Sequence, residues 1–138
     1  MIRSSTATWH GPGQTGEGRL TAESNKLLAS PFNFRGRFST ETDNINPEEL
    51  IAAAHAIDFV MKLSFVLGEA GFVASSLTTT AHINFVNGSI TDSHLVLFAV
   101  IPGIDRCSFD ACVKEAELTC PVSRALKVKI TTEAKLEE

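Results

Sequence analysis

The residues of this sequence best suited to redox or nucleophilic chemistry are its three cysteines, and Cys120 has the most favourable position among them. In "TCPVS" it precedes a proline, as the N-cap residue of a short helix would. Unpaired N–H groups at a helix N-terminus stabilise a thiolate, which is the nucleophilic form of cysteine. Cys120 is therefore a candidate reactive thiol, although a cysteine that only marks a helix break fits the same spacing.

The other cysteines and the histidines favour structural roles. Cys112 falls on the apolar face of a predicted helix, as a small buried hydrophobe, and Cys107 falls in the turn before that helix. Four histidines have no metal-ligand spacing with each other or with the cysteines: His10, His55, His82 and His94. A core or solvated role is favoured for all four, and the last two could meet across a hairpin. We expect neither a metal nor a cofactor.

Asp58 is the one carboxylate that interrupts an apolar helical segment, at the end of "NPEELIAAAHAID". On a helix its same-face neighbours are all apolar: Ile51, Ala54, Met61 and Phe65. A carboxylate buried among them needs a proton or a cation. Lys62, four residues later, would form an ordinary ion pair on the helix surface. A functional role requires another cation, and Arg35 and Arg37 in "FNFRGRF" are the candidates.

The first forty residues are predicted to form strands and turns. Two strand-like segments, "SSTATWH" and "GRLTAES", flank a glycine-rich loop, and a third strand is predicted in "FNFRGRF". The loop contains a formal G-x-G-x-x-G motif. A strand and not a helix follows the motif, which favours a hairpin loop over a dinucleotide site.

The rest of the chain alternates helices with strands. A helix is predicted from Pro47 to about Gly68, with Asn46 as its N-cap, and a hairpin is predicted at Asn87 and Gly88. A helix over residues 108–119, a short helix in "PVSRAL" and a final strand in "LKVKITTEAKL" follow. The order of these elements predicts an α+β fold in one domain, residues 1–138.

Length, charge and hydropathy narrow the class of protein. A chain of 138 residues has the size of one domain, and its net charge of −4 argues against a nucleic-acid binder. No apolar run was expected to reach the length of a membrane span, and "MIRSSTATWH" lacks the hydrophobic core of a signal peptide. Three cysteines without framework spacing fit a reducing compartment. We therefore expect a cytoplasmic protein that binds neither nucleic acid nor membrane.

Several stretches together resemble the OsmC/Ohr family of organic hydroperoxide reductases, and the OsmC branch more closely. They are "NPEELIAAAHA", the pattern F-x-M-x-L-S at residues 59–64, "LGEAGF", "IPGID", "FDACVKEAELTCPVS" and "LKVKIT". These stretches occur in order from about residue 9 to residue 131, which is nearly the whole chain. Their joint order and spacing make the resemblance specific.

The resemblance implies curved antiparallel sheets wrapped around central helices in an intertwined homodimer, with two active sites at the subunit interface. In the family a peroxidatic cysteine attacks the peroxide, and a second cysteine resolves the sulfenic acid as a disulfide that an external dithiol reduces. The resemblance places the resolving cysteine at Cys120, and the orienting glutamate and arginine at Glu48 and Arg37. It also implies a small apolar or hydroperoxide ligand in an interface pocket.

The position of the peroxidatic cysteine is occupied by Asp58. A carboxylate is a weak nucleophile toward an O–O bond and forms no disulfide, so the two-cysteine cycle cannot run as written. Glu48 precedes Asp58 by ten helical residues, about 15 Å along the helix axis. The two carboxylates can therefore share a site only if Glu48 comes from the partner chain. Arg37 would then lie between them in a closed ion-pair cluster.

Three functional hypotheses follow from this substitution. In the first, the fold and pocket are retained, peroxidase chemistry is lost, and the site binds a small apolar or acyl ligand or is structural only; an aspartate also resembles a cysteine sulfinate. In the second, Cys120 alone reduces hydroperoxides with an external thiol, with assistance from Cys112. In the third, Asp58 performs acid–base or hydrolytic chemistry with Glu48 and Arg37.

Overall fold

The computed structural model describes residues 1–40 and 43–138, which form two compact units, residues 1–50 and residues 51–138. Two three-stranded sheets and three α-helices make up the described chain, so the α+β class predicted from the sequence is confirmed.

The first unit contains an antiparallel sheet in the order β1-β2-β3. Its strands are β1 (Ser5–His10), β2 (Glu17–Ala22) and β3 (Ser30–Phe32). The glycine-rich segment joins β1 to β2 as a hairpin loop, as predicted, and Gly11 in it has φ +98°. All six residues of β1 are exposed.

The strand predicted over the whole of "FNFRGRF" is wrong beyond its first phenylalanine. β3 ends at Phe32, and a 3₁₀ helix, Arg35–Phe38, follows. The Asn33 side chain accepts the Gly36 N–H at 2.7 Å and closes a turn, which takes a donor that a strand would have used. Gly36 is buried so close to Asn33 and Asn44 that an added Cβ would lie 2.9–3.0 Å from their side chains. The arginines of this segment therefore project from a helical turn.

Helix α1 (Pro47–Glu69) begins and ends as its sequence predicts. Asn46 Oδ1 accepts the Glu49 N–H at 2.8 Å, which satisfies a first-turn donor. At the other end Gly71 has φ +90°, and the Phe72 N–H donates to the Leu67 carbonyl at 2.9 Å. Contrary to the expectation about apolar runs, α1 is long and apolar enough to span a membrane by length and composition alone. Core helices pass the same test, and α1 has a buried face.

The second unit contains a mixed sheet in the order β4-β5-β6. Its strands are β4 (Ser76–Val86), β5 (Ser89–Val100) and β6 (Lys129–Leu136). The predicted hairpin between β4 and β5 is confirmed, with positive φ at Asn87 and Gly88. It brings His82 opposite His94, with ring centroids 6.4 Å apart. β6 pairs parallel to β5, so this sheet is not wholly antiparallel as expected.

Two helices connect β5 to β6: α2 (Arg106–Thr119) and α3 (Pro121–Ala125). α2 starts two residues earlier than predicted because Asp105 accepts the Ser108 N–H at 2.9 Å as its N-cap. Cys107 therefore lies in the first turn of α2 and is exposed, whereas Cys112 is buried as predicted.

The core of the second unit is formed by one face of α1, the inner face of β5 and the apolar face of α2. Its most deeply buried side chains include Phe59, Leu63, Leu67, Leu95, Leu97 and Phe109. The face of α1 expected to bury Asp58 does not face this core. Ile57, Met61 and Phe65 are 59%, 55% and 71% exposed, and we refer to these three residues as the open face of α1.

Candidate functional site

Asp58 and Cys120 are in direct contact. Asp58 lies on α1, and Cys120 is both the C-cap of α2 and the N-cap of α3. The Cys120 Sγ donates to Asp58 Oδ2 at 3.0 Å, and the Val122 N–H donates to the same oxygen at 2.9 Å. The structure therefore brings together the two positions that the family resemblance pairs, with a carboxylate on one side and a thiol on the other.

The carboxylate of Asp58 also performs the capping role that the Cys120 side chain leaves open. Cys120 occupies the predicted N-cap position, but its side chain makes no capping hydrogen bond. The Val122 N–H is a first-turn donor of α3, and such donors need an acceptor from outside the helix. Asp58 therefore fixes the start of α3 as well as the direction of the thiol.

The environment of the Cys120 thiol disfavours its ionisation. Cys120 is fully buried. Burial raises the pKa of the Cys120 thiol, and the hydrogen bond to Asp58 and the charge of that carboxylate raise it further, against a smaller lowering effect of Ser123. Of the two interpretations of Cys120 that the sequence left open, the stabilised thiolate is therefore disfavoured, because desolvation and a neighbouring carboxylate raise the pKa of this thiol.

A raised pKa predicts that Cys120 is alkylated slowly in the native protein, and that its alkylation needs a higher pH than that of an ordinary cysteine. Asp58→Asn removes the anion, so the thiolate forms at lower pH and iodoacetamide should modify Cys120 severalfold faster. Peptide mapping after timed alkylation measures each cysteine separately. Buried Cys112 reports any general opening of the fold, and equal acceleration of Cys112 and Cys120 would contradict this explanation.

Arg37 and Glu48 form the second pair of predicted site residues, within the first unit. Arg37 Nε lies 3.0 Å and 3.2 Å from the two carboxylate oxygens of Glu48, and Nη2 lies 2.5 Å from Oε1. The Glu48 side chain is only 12% exposed and that of Arg37 33%. This two-pronged geometry fixes the orientation of both side chains. Arg35, the other candidate arginine, is exposed.

The predicted partner of Asp58 on its own helix is not used. Asp58 and Lys62, both in the described part of the chain, form no ion pair. The acceptor oxygen of Asp58 is instead occupied by a thiol and a peptide N–H. The simplest structural explanation of Asp58, an i,i+4 pair on the helix surface, is therefore wrong.

His55 is a buried polar residue at this site. The sequence favoured a core or solvated role for this histidine. It is fully buried, with Nδ1 2.7 Å from Ser93 Oγ and Nε2 2.7 Å from Ser123 Oγ. Burial lowers the pKa of His55 below its ordinary value, against the opposing charges of Asp58 and Glu117. The four-residue spacing of His55, Phe59 and Leu63 was the signal that put this histidine on the core face of α1.

The first unit also contains an apolar pocket of about 210 Å³ beside the Arg37–Glu48 pair. Its lining includes Trp9, Phe32, Phe34, Arg37 and Pro47. It has the composition of a site for a small apolar molecule, with one cation at its wall. Within residues 1–40 and 43–138, no group of three or more His, Cys, Asp or Glu side chains is arranged to hold a metal.

Comparison with known proteins agrees with the fold. The family model described as "OsmC-like protein" matches residues 40–135. The protein named "Peroxiredoxin OsmC" of Escherichia coli (strain K12) is 42% identical over 135 residues, which are 95% of this chain and 94% of that protein. The residues matched by the family model include Glu48, Asp58 and Cys120 and do not include Arg37.

Solved structures show the same fold at low sequence identity. An OsmC-like protein from Mycoplasma pneumoniae superposes with a TM-score of 0.78 at 9% identity, covering 100% of this chain and 99% of that one. An organic hydroperoxide resistance protein OsmC from Legionella pneumophila superposes with a TM-score of 0.69 at 20% identity, covering 100% and 99%. At these identities the likeness concerns the fold.

Proposed function

This chain belongs to the OsmC-like protein family, and we propose that it is a member of the organic-hydroperoxide-resistance type in which Asp58 has abolished the two-cysteine peroxidase cycle. The observation that carries this proposal is the Asp58–Cys120 contact, in which the carboxylate accepts the S–H of the cysteine at 3.0 Å. In this proposal each site residue has the role that the family resemblance assigns to its position: Asp58, Cys120, Arg37 and Glu48.

The chemistry of the contact supports loss of peroxide reduction. In the family cycle, a thiolate attacks the peroxide oxygen, the alcohol leaves, and the resulting sulfenic acid exchanges its hydroxyl for the sulfur of the second cysteine. A carboxylate oxygen at position 58 gives neither a sulfenic acid nor a disulfide. The Asp58 carboxylate carries the negative charge that a cysteine oxidised to the sulfinate would carry at this position. The site therefore resembles that of a family member whose peroxidatic cysteine is over-oxidised.

Reduction of hydroperoxides by Cys120 alone is the second candidate, and the geometry disfavours it. Cys120 is fully buried, its proton is held by Asp58, and its pKa is raised. A peroxidatic thiol needs the opposite properties, a lowered pKa and access to peroxide. Cys112, the assisting thiol of this hypothesis, is also buried, and burial raises its pKa.

We further propose that the protein binds a small apolar or hydroperoxide ligand and acts as a cytoplasmic homodimer. The apolar pocket beside Arg37 supports the ligand, because its aromatic lining suits an apolar body and its arginine suits a polar head. The open face of α1 supports the dimer, because large apolar side chains at helical spacing are rarely left in water. An external dithiol is the expected reductant only if peroxide chemistry persists.

The direct test is peroxide consumption. Incubation of the protein with cumene hydroperoxide and a dithiol should show no peroxide loss above the rate of the dithiol alone. The Escherichia coli relative, assayed in parallel, is the positive control for substrate and reductant. Turnover by the parent chain that disappears in Cys120→Ala would overturn the proposal in favour of the single-cysteine mechanism.

A further inference from the structure

The first unit has a second apolar pocket, also of about 210 Å³, which we refer to as the Leu50 pocket. Its lining includes Ala7, Leu20, Phe32, Pro47 and Leu50. Phe32 and residues 45–47 also line the pocket beside the Arg37–Glu48 pair, which we refer to as the Arg37 pocket. The Phe32 ring therefore lies at the boundary between two adjoining pockets.

We propose that Phe32 is a specificity-determining residue that closes the Arg37 pocket toward the Leu50 pocket, so that the Arg37 pocket accepts compact apolar ligands with a polar head and excludes long unbranched chains. A volume of about 210 Å³ is below the roughly 300–1,000 Å³ of common ligand pockets, and the two pockets joined would reach that range. The ring thus decides between a short alkyl or single-ring ligand and a long chain. This inference rests on the ligand-binding role proposed above for the Arg37 pocket.

The position of the Phe32 ring is set by Gly18, a buried residue of the central strand β2. Gly18 pairs with Trp9 of β1 on one side and with Phe32 of β3 on the other. A Cβ added at Gly18 would lie 2.4–2.8 Å from three carbon atoms of the Phe32 ring. The φ of Gly18 is not positive, so its backbone suits other residues and the ring is what excludes them. Glycine at position 18 therefore lets the Phe32 ring lie against the backbone of β2.

Trp9 contacts the Phe32 ring across Gly18. The two ring centroids are 5.7 Å apart, at an interplanar angle of 30°. The indole N–H of Trp9 donates to the Gly11 carbonyl at 2.9 Å, which fixes the orientation of the indole. A Cβ added at Gly16 would lie 3.0 Å from the indole ring, so this glycine also makes room for it. The loop with the formal G-x-G-x-x-G motif therefore positions an aromatic wall of the Arg37 pocket.

The rest of the boundary is held by backbone contacts. The Ile45 N–H donates to the Pro31 carbonyl at 3.0 Å, which ties the segment before α1 to β3. Asn46 is fixed as the N-cap of α1 by its hydrogen bond from the Glu49 N–H. Substitution of the Phe32 side chain is therefore the change expected to join the two pockets.

Binding of unbranched alcohols tests the inference on the parent protein, because a hydroxyl head replaces the hydroperoxide without oxidising cysteine. Trp9, the single tryptophan of the chain, lines the Arg37 pocket, so its fluorescence reports binding, with titration calorimetry as a second measurement. Each further buried methylene should raise the affinity about threefold to fourfold among the short alcohols. The affinity should then level off, so that decanol binds no more tightly than hexanol. Decanol binding about 10²-fold more tightly than hexanol, the gain for four more buried methylenes, would overturn the proposed boundary.

Phe32→Ala and Phe34→Ala form a matched pair of variants. Both shorten a phenylalanine of the Arg37 pocket, but only Phe32 also lines the Leu50 pocket. Phe32→Ala should extend the rise in affinity to decanol, whereas Phe34→Ala should keep the level reached at hexanol. The same dependence on chain length in both variants would overturn the role of Phe32.

Gly18→Ala tests the position of the ring without a ligand. At one protein concentration, the clash with Phe32 should lower the thermal unfolding temperature by about 4 °C or more, and the same substitution in a Phe32→Ala background should have little effect. An equal decrease in both backgrounds would overturn the role of Gly18. If the folded parent protein binds no alcohol, the ligand proposal is overturned together with this inference, whereas binding without a length limit overturns this inference alone.

Discussion

Replacing Asp58 by cysteine should convert this chain into a dithiol-dependent hydroperoxide reductase, with turnover at least about 10²-fold above that of the parent protein. Removal of a nucleophile from a complete site costs on the order of 10⁶-fold in rate, so restoring one at position 58 is expected to recover part of that factor. Consumption of cumene hydroperoxide in the presence of a dithiol measures the gain.

The gain is expected because Cys120, to which the family resemblance assigns the resolving role, already contacts position 58. Asp58 Oδ2 lies 3.0 Å from the Cys120 sulfur, and a cysteine sulfur at position 58 is one bond nearer the backbone than that oxygen. Rotation of the two side chains is then expected to bring the sulfurs to bonding distance. The substitution also removes the anion that helps to raise the pKa of Cys120. The introduced thiolate reduces the peroxide to alcohol, and Cys120 displaces water from its sulfenic acid.

Two control variants separate this mechanism from others. Asp58→Ser has a similar volume and no thiol, and it should stay inactive. The double variant Asp58→Cys/Cys120→Ser should form a sulfenic acid once but no intramolecular disulfide, which mass spectrometry of the peroxide-treated protein distinguishes. An inactive but correctly folded Asp58→Cys protein would show that more than the nucleophile has been lost from the site.

Local signals in the sequence were sufficient for the elements that depend on local chemistry. Asn46 and Pro47 predicted the start of α1, and Asn87 with Gly88 predicted the β4–β5 hairpin, because a cap and a turn are each determined by a few adjacent residues. The parallel pairing of β6 with β5 was not predicted, since no local pattern specifies which strand a C-terminal segment joins. The 3₁₀ helix after β3 was missed because the competing turn depends on one asparagine side chain.

The site residues show the same difference between features that local sequence predicts and features that depend on distant residues. The resemblance identified positions 58 and 120 as a pair, and they are in contact. The sequence left two interpretations of the Cys120 thiol open, because its neighbours in sequence indicate only a helix terminus. Its burial and its hydrogen bond to a carboxylate 62 residues away reverse the direction of the pKa shift. His55 was seen as a core residue, but its two serine partners lie 38 and 68 residues away.

Phe65→Glu should dissociate the proposed homodimer into monomers. Phe65 is 71% exposed in the single chain, on the open face of α1 with Ile57 and Met61, and the face continues into a groove whose lining includes Phe72 and Val73. A central aromatic residue of an interface contributes about 2–4 kcal/mol to association. Burying a glutamate there costs more, so dimer dissociation should increase by at least about 10²-fold. Analytical ultracentrifugation over a range of protein concentrations measures the change.

Leu118→Glu is the matched control for this substitution, because Leu118 is 61% exposed on α2 and does not lie on the open face of α1. It introduces the same charge at a similarly exposed apolar position, and the dimer should persist.

The temperature of the thermal unfolding transition is an independent measurement. It should rise with protein concentration for the parent and Leu118→Glu proteins but not for Phe65→Glu. A parent protein that sediments as a monomer at every concentration would contradict the dimer, and a dimer unaffected by Phe65→Glu would place the interface elsewhere. Because the dimer test uses neither peroxide nor thiol chemistry, its outcome is independent of whether Asp58 has abolished peroxide reduction.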